Sequence, residues 1–220
     1  MFKVLLASVL VILAVSFYGI YSARALPDWF DESKANTDFA GEAIQKELGR
    51  GGADLLARKS LDILRGRVSF SEDEFNALFM ASLKADKDGR KLLKVSDGVR
   101  AFLKDGEIEV AAVINLKKLE QVEPKARKAI EKLDKLFWVI EDGRIAVALF
   151  GTPVVRGGGI GVKDNFHAKI GEISFSNDTL KSLNVPVERA NQEQMAIKYL
   201  SLNSVVVKPK LIEFGVRPKF

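Results

Sequence analysis

Few residues in this chain have side chains that could carry chemistry. His167 is the single histidine, and the 220 residues include no cysteine. A cysteine nucleophile, a cysteine-ligated metal and a zinc site built from several imidazoles are therefore excluded. His167 lies between Phe166 and Ala168 in an alternating stretch, which indicates the polar side of a strand and not a catalytic centre.

Two other groupings resemble catalytic motifs but have simpler interpretations. The glycine-rich run from Gly157 to Gly161 lacks the Gly-Lys-Ser/Thr that completes a phosphate-binding loop, so it predicts a hairpin loop. Glu72, Asp73 and Glu74 are helix neighbours that point in different directions and cannot converge as an acid/base pair. A hydrolase built from distant carboxylates remains an open alternative, but no spacing favours it. We therefore predict a protein that is not an enzyme and that has no cofactor or metal site.

The charge distribution argues against a nucleic-acid partner. The chain has 34 Lys and Arg residues and 29 Asp and Glu residues, a formal charge of +5, and the two classes are interspersed. Lys3 and Arg24 are the only charged residues before Leu26. Nucleic-acid-binding domains gather basic residues into a patch or stripe, which this sequence lacks.

The amino-terminal segment predicts a membrane anchor. Val4 to Tyr21 contains no charge, and at about 1.5 Å per residue a helix of this length nearly crosses a hydrocarbon core of about 30 Å. Tyr18 and Tyr21 lie at its far end, where amphipathic rings favour the headgroup layer. Ala23-Arg24-Ala25 has the small-x-small form of a cleavage site, so a cleaved signal peptide is the alternative. In either case the bulk of the chain is expected to be extracytoplasmic, and periplasmic in a Gram-negative bacterium.

The predicted organisation is an anchor, a tether and one domain. Residues 1–25 form the transmembrane signal-anchor, and residues 26–37 form the tether, in which Trp29 is expected at the outer membrane interface. Residues 38–220 form a single extracytoplasmic domain that is long enough to bury a core without metals or disulfides.

The segment from Phe70 to Phe75 predicts the start of a helix. Ser71 is the expected N-cap, Glu74 closes a capping box three residues later, and Phe70 with Phe75 supplies a hydrophobic staple. The buried stripe of this helix is predicted to contain Phe75, Leu78 and Phe79, with Met80 at its margin.

Two Asp-Gly pairs, Asp105-Gly106 and Asp142-Gly143, predict β-hairpins with type I′ turns. The first hairpin is predicted to pair Leu103 with Ile108, Ala101 with Val110, and Val99 with Ala112. The second is predicted to pair Ile140 with Ile145, Trp138 with Val147, and Leu136 with Leu149. Every pair is apolar on both sides, so the turn residues and the alternation favour the same register.

The remaining elements complete an α+β pattern with a largely antiparallel sheet and several helices. A helix begins at Glu123-Pro124, and the lysines on its polar face either are solvated or contact anionic headgroups. Further expectations are a strand-like stretch from Asn165 to Phe175, a helix near Ala190 to Leu202, and an extended segment from Lys208 to Phe220 in which Pro209 marks an edge or a bend.

The string VSFSEDEFNALF, from Val68 to Phe79, resembles the opening element of small bacterial extracytoplasmic proteins of the tubular lipid-binding, or TULIP-like, type. The Asp-Gly hairpins and the unit from Ile173 to Leu183 fit the same order, so the resemblance covers roughly Arg65 to Arg217. It implies a strongly curved antiparallel sheet packed on helices, with an apolar groove for lipid chains. The chain departs from the pattern in lacking a lipoprotein cysteine and in adding the segment from Phe39 to Leu64, which could fill the groove.

The resemblance leads us to expect a membrane-anchored, non-catalytic protein that binds or hands on a lipid or another amphiphile. The predicted lipid contacts are Phe75, Phe79, Leu103, Ile108, Val110, Ile140, Ile145 and Val147. The predicted membrane-interface residues are Tyr18, Tyr21, Trp29, Lys125, Lys128 and Lys132. The alternative is that the apolar residues close on each other as a core, and that the domain is a membrane-tethered scaffold that contacts other envelope proteins.

Overall fold

The computed structural model describes residues 26–30, 53–122, 143–163, 166–171, 173–182 and 200–218. Within these ranges the chain combines helices with antiparallel strands, which confirms the predicted α+β class. The helices are α1 (Ala53–Arg58), α2 (Ser60–Leu64), α3 (Glu72–Ala85), α4 (Lys87–Val95), α5 (Leu116–Val122) and α6 (Asn177–Ser182). The strands are β1 (Arg67–Ser71), β2 (Ser96–Lys104), β3 (Glu107–Asn115), β4 (Arg144–Gly151), β5 (Pro153–Arg156), β6 (Gly159–Val162), β7 (His167–Ile170), β8 (Ile173–Phe175), β9 (Leu200–Lys208) and β10 (Leu211–Pro218).

The predicted membrane anchor, Val4 to Tyr21, lies outside the described residues. Several residues predicted to act at the membrane or to contact lipid also lie outside them: Tyr18, Tyr21, Lys125, Lys128, Lys132 and Ile140. No helix in the ranges that the structure describes is both long enough and apolar enough to cross a bilayer.

The described strands form three antiparallel sheets. The central sheet has the order β2-β3-β4-β7-β8, the second sheet has the order β1-β10-β9, and β5 pairs with β6. Backbone hydrogen bonds join the sheets where the β2–β3 hairpin meets the β9–β10 turn: the Gly106 N–H donates to the Val207 carbonyl at 3.1 Å, and the Lys210 N–H donates to the Leu103 carbonyl at 3.0 Å. The tip of the first hairpin is therefore fixed to the second sheet.

The β2–β3 hairpin has the predicted register. Leu103 lies opposite Ile108, Ala101 opposite Val110, and Val99 opposite Ala112. The predicted turn type is wrong, because a type I′ turn needs positive φ at both central residues, and here Gly106 has φ 75° while Lys210 is the only described non-glycine residue with positive φ. The two positive φ values occur instead at Gly157 and Gly158, in the β5–β6 hairpin predicted from the glycine-rich run.

The predicted pairing of the second hairpin is also wrong. Ile145 to Leu149 form a strand as expected, but β4 pairs with β3 along one edge and with β7 along the other. Both edges are occupied at Val147 and Leu149, so neither residue has an edge left for its predicted partner. Those partners, Trp138 and Leu136, lie outside the described residues.

Three later predictions have mixed outcomes. The stretch from Asn165 to Phe175 contains two strands, β7 and β8, because the chain turns near Gly171, which has φ 57°. The helix predicted near Ala190 to Leu202 is wrong at its described end, because β9 begins at Leu200. The extended segment is confirmed as β10, and Pro209 lies in the turn before it.

Helix α3 begins as the sequence predicts. The Glu74 N–H donates to Ser71 Oγ at 3.2 Å, and the Ser71 N–H donates to Glu74 Oε2 at 2.9 Å, which completes the capping box. Phe70 and Phe75 both belong to the main core cluster, as a hydrophobic staple requires. Met80 is buried at 8 % exposure in a second cluster, so its predicted marginal position is wrong.

The outer edge of β2 is hydrogen-bonded to side chains of α3. Asn76 accepts from the Ala101 N–H at 2.7 Å and donates to the Ala101 carbonyl at 2.7 Å. Glu72 Oε2 accepts from the Leu103 N–H at 2.9 Å. An exposed strand edge promotes pairing with other chains, and these two side chains, one helical turn apart, satisfy that edge at Ala101 and at the Leu103 N–H.

Gly89 permits a close approach between α3 and α4. A methyl group at this position would clash with the backbone carbonyl of Leu83. We expect Gly89→Ala to lower the free energy of unfolding by about 1–2 kcal/mol, because overpacking outweighs the gain in helix propensity. Urea denaturation of the full chain measures the change, with exposed Lys87→Ala as the control in the same helix; an equal or higher stability for Gly89→Ala would contradict the prediction.

Candidate functional site

The two faces of the central sheet differ in composition because alternate residues of a strand point to opposite sides. On one face, Val99 and Ala112 pack with Met80 of α3, and we call this the helix face. The opposite face carries small side chains on β3 and β4, and we call it the alanine face. Its small residues are Ala111, Val113, Ala146 and Ala148.

Half of the predicted lipid contacts are parts of a packed core. Leu103 is 3 % exposed in a cluster with Ile212 and Phe214, and Phe75 and Ile108 pack against that cluster. Phe79 packs against the second cluster. These four side chains contact other apolar side chains of the same protein, as in the alternative interpretation of the sequence.

Three other predicted lipid contacts share the helix face without joining a core cluster. Val110, Ile145 and Val147 are half-buried there. Leu149, which lies opposite Val110, is 42 % exposed. Contact of this part of the sheet with lipid remains a prediction.

The segment from Leu26 to Phe30 lies across the alanine face. The Trp29 indole is 6.0 Å from the Phe102 ring and 6.2 Å from the Phe30 ring, measured between centroids. The Arg144 guanidinium lies 5.9 Å from the centroid of Phe30. Trp29, which the sequence predicts at the membrane interface, therefore contacts the central sheet at Phe102 of β2.

A cavity of about 440 Å³ lies between this segment and the alanine face. Leu26, Pro27 and Trp29 form one wall, and Ala111, Ala146 and Ala148 contribute to the floor. Small floor residues leave the space that longer side chains would fill. The charged residues at the cavity are Asp28, Glu109 and Lys169.

One end of the cavity adjoins an aromatic ring surrounded by basic groups. Phe150 is 5 % exposed, and the His167 imidazole stacks on it at 4.6 Å with an interplanar angle of 5°. Lys104 Nζ and Lys169 Nζ lie 5.1 Å and 5.3 Å from the centroid of the same ring. Lys104 also forms an ion pair with Glu109. His167 thus has a packing role in this cluster.

The other end of the alanine face holds a buried ion cluster. Asp97 is 3 % exposed and accepts hydrogen bonds from Lys118 Nζ at 2.7 Å, Arg144 Nε at 2.7 Å and Asn115 Nδ2 at 3.1 Å. Burial alone would raise the pKa of Asp97, but these three hydrogen bonds outweigh it and lower the pKa below the ordinary value of 3.8. The cluster fixes Arg144, which in turn contacts Phe30.

The alanine face was missed as a candidate site from the sequence. The available signal was the alternation of small residues at Ala111 and Val113 and again at Ala146 and Ala148. Small side chains on one side of adjacent strands allow another segment or a ligand to approach the backbone closely. That signal does not say which segment approaches, so the part played by residues 26–30 needed the structure.

Comparison of the chain with protein-family models, curated proteins and solved structures gave no match. In the part of the chain that the structure describes, no group of three or more His, Cys, Asp or Glu side chains is arranged to hold a metal ion.

Proposed function

We propose that this chain is a membrane-anchored, extracytoplasmic protein that binds an amphiphile without catalysis. The apolar chain of the ligand lies in the cavity between Trp29 and the alanine face. An anchor helix at Val4 to Tyr21 holds the domain at the membrane, and the central sheet curves around the helices packed on it.

The cavity is the observation that carries this proposal. Its volume of about 440 Å³ falls within the range of about 300–1,000 Å³ typical of small-ligand pockets. Its lining combines apolar residues, such as Leu26 and Trp29, with the charged residues Asp28, Glu109 and Lys169. Such a composition suits a ligand that has an apolar chain and one polar end.

The closeness of a cavity-lining residue to the predicted membrane anchor supports the same function. Leu26, one of the residues that line the cavity, follows shortly after the segment predicted to anchor the protein. A ligand that partitions into the bilayer would therefore meet this cavity close to the membrane surface. Shielding of an apolar chain requires no catalytic group, which agrees with the small set of reactive side chains in the sequence.

Fluorescence of Trp29 tests the proposal. The full chain with Trp138→Phe has Trp29 as its only indole and is placed in phosphatidylcholine nanodiscs. We expect brominated decanoate to quench Trp29 emission saturably, after correction for its partition into protein-free nanodiscs. Adding Ala148→Leu, which fills the cavity floor, is expected to weaken binding about tenfold.

Ala85→Leu is the matched control, because Ala85 is exposed at the end of α3. It should leave the quenching curve unchanged, and thermal unfolding of each variant verifies folding. Linear, non-saturable quenching, or equal binding by the Ala148→Leu variant, would contradict binding at this site.

A membrane-tethered scaffold is the second candidate, favoured by exposed apolar side chains on α2. Leu61 is 66 % exposed and Leu64 is 74 % exposed, one helical turn apart. Cross-linking in native membranes discriminates the two functions. A stoichiometric protein neighbour that is lost on Leu61→Lys with Leu64→Lys would favour the scaffold, and loss of amphiphile binding in those variants would not be expected.

A further inference from the structure

We infer that the ligand of the alanine-face cavity is an anionic amphiphile whose acidic group pairs with Lys169. This inference rests on the proposed function and names the ligand class for the same site. The shared chemistry is an acidic oxygen group, carboxylate or phosphate monoester, at the end of an apolar chain. The inference is carried by the position of the Lys169 ammonium group, which lies beside the alanine residues of the cavity floor and the Trp29 wall.

Lys169 is placed at the cavity by the register of the central sheet. It lies directly opposite Ala148 in the β4–β7 ladder, so both side chains are on the alanine face. Ala148 and Lys169 both line the cavity. A ligand chain on the alanine floor would therefore bring its polar end within reach of the ammonium group.

The other charges near the cavity are already engaged or are exposed. Glu109 is paired with Lys104, Arg100 with Glu72 at 3.5 Å, and Arg144 with Asp97. Asp28 is exposed to solvent, where water screens its charge.

In the part of the chain that the structure describes, Lys169 makes no ion pair, and its Nζ lies over the Phe150 ring, 5.3 Å from the centroid. The Lys169 residue is half-buried, and an ammonium group over an aromatic ring is held in place without losing its hydrogen-bond donors. His167 stacks on the same ring and restricts its movement. Charge-assisted hydrogen bonds to carboxylate or phosphate are stronger than neutral ones, so Lys169 would discriminate in favour of an acidic headgroup.

The Trp29 quenching assay tests the inference with ligands that share one apolar chain. We expect brominated decanoate and brominated decyl phosphate to bind about tenfold more tightly than brominated decanol, as one partly buried charge pair would give. Lys169→Met should bring all three to the affinity of decanol. Lys94→Met, at an exposed position of α4 on the helix face of the sheet, should preserve the difference.

The outcomes separate this inference from the proposed function. Equal affinity of wild-type protein for decanoate and decanol, or an undiminished difference in Lys169→Met, would overturn the anionic ligand while leaving the amphiphile site intact. Absence of saturable binding by all three probes would overturn the proposed function itself. Inorganic phosphate should not displace brominated decanoate at an equal concentration; displacement at that concentration would show that the apolar chain contributes nothing to binding and would overturn both.

Discussion

Replacing Asp97 with asparagine is expected to lower the free energy of unfolding by about 3 kcal/mol at neutral pH, because two cations would lose a buried carboxylate. Asp97 is 3 % exposed and accepts hydrogen bonds from Lys118, Arg144 and Asn115. The Arg144 and Lys118 side chains remain partly exposed to solvent. The expected loss of unfolding free energy is therefore at the lower end of the range typical of a broken buried ion pair. Guanidinium denaturation at neutral pH measures it.

The same substitution should make the free energy of unfolding less dependent on pH in the acid range. The folded-state pKa of Asp97 is depressed because its hydrogen bonds outweigh its burial, so its contribution is complete above the ordinary value of 3.8 and disappears as the pH falls through the folded pKa. The difference between wild type and Asp97→Asn should therefore shrink as the pH is lowered below that value. The control is Asp62→Asn, which removes an exposed pair with Arg65 and should change stability by less than about 0.5 kcal/mol. A pH-independent difference would contradict the assignment.

Asn76→Leu is expected to destabilise the protein by about 3 kcal/mol, because it leaves two buried backbone groups without partners. Asn76 bonds both the N–H and the carbonyl of Ala101, a residue with no exposed surface. Leucine has a similar size, so the loss would measure hydrogen bonding and not packing. Hydrogen exchange should show faster exchange at the Ala101 amide in particular.

Glu72→Gln is the matched comparison on the same strand edge. Glutamine keeps an oxygen that can accept from the Leu103 N–H, and the lost pair with Arg100 is partly exposed. We expect a loss below about 1 kcal/mol. Equal effects of the two substitutions would show that the edge of β2 does not depend on Asn76.

Local features of the fold were predictable where turn, cap and alternation agree. The register of the β2–β3 hairpin follows from Asp105-Gly106 and the apolar pairs around it, and the start of α3 follows from Ser71 and Glu74. The same local pattern failed around Asp142-Gly143, because β4 uses both edges for β3 and β7, one of them distant in sequence. Local sequence pattern does not encode that competition between partners.

The site was less predictable than the fold. Among the described residues chosen for a groove, Leu103, Ile108 and Val147 lie on one face of the sheet, but Leu103 and Ile108 pack with the β9–β10 hairpin, which follows about a hundred residues later in the chain. The cavity lies on the opposite face, where Ala111 and Ala148 are small and Trp29 approaches them. Composition identifies small residues, whereas only tertiary packing decides whether the space above them stays open.

Photo-labelling tests the central claim most directly, namely that the space above the alanine face holds an apolar chain. The full chain in phosphatidylcholine vesicles is irradiated with a diazirine-bearing decanoate, and labelled peptides are identified by mass spectrometry. The account predicts saturable labelling concentrated in peptides that contain Trp29 or Ala146 to Ala148, competed by unlabelled decanoate and reduced by Ala148→Leu. Label confined to other peptides, or spread over the chain without competition, would contradict it.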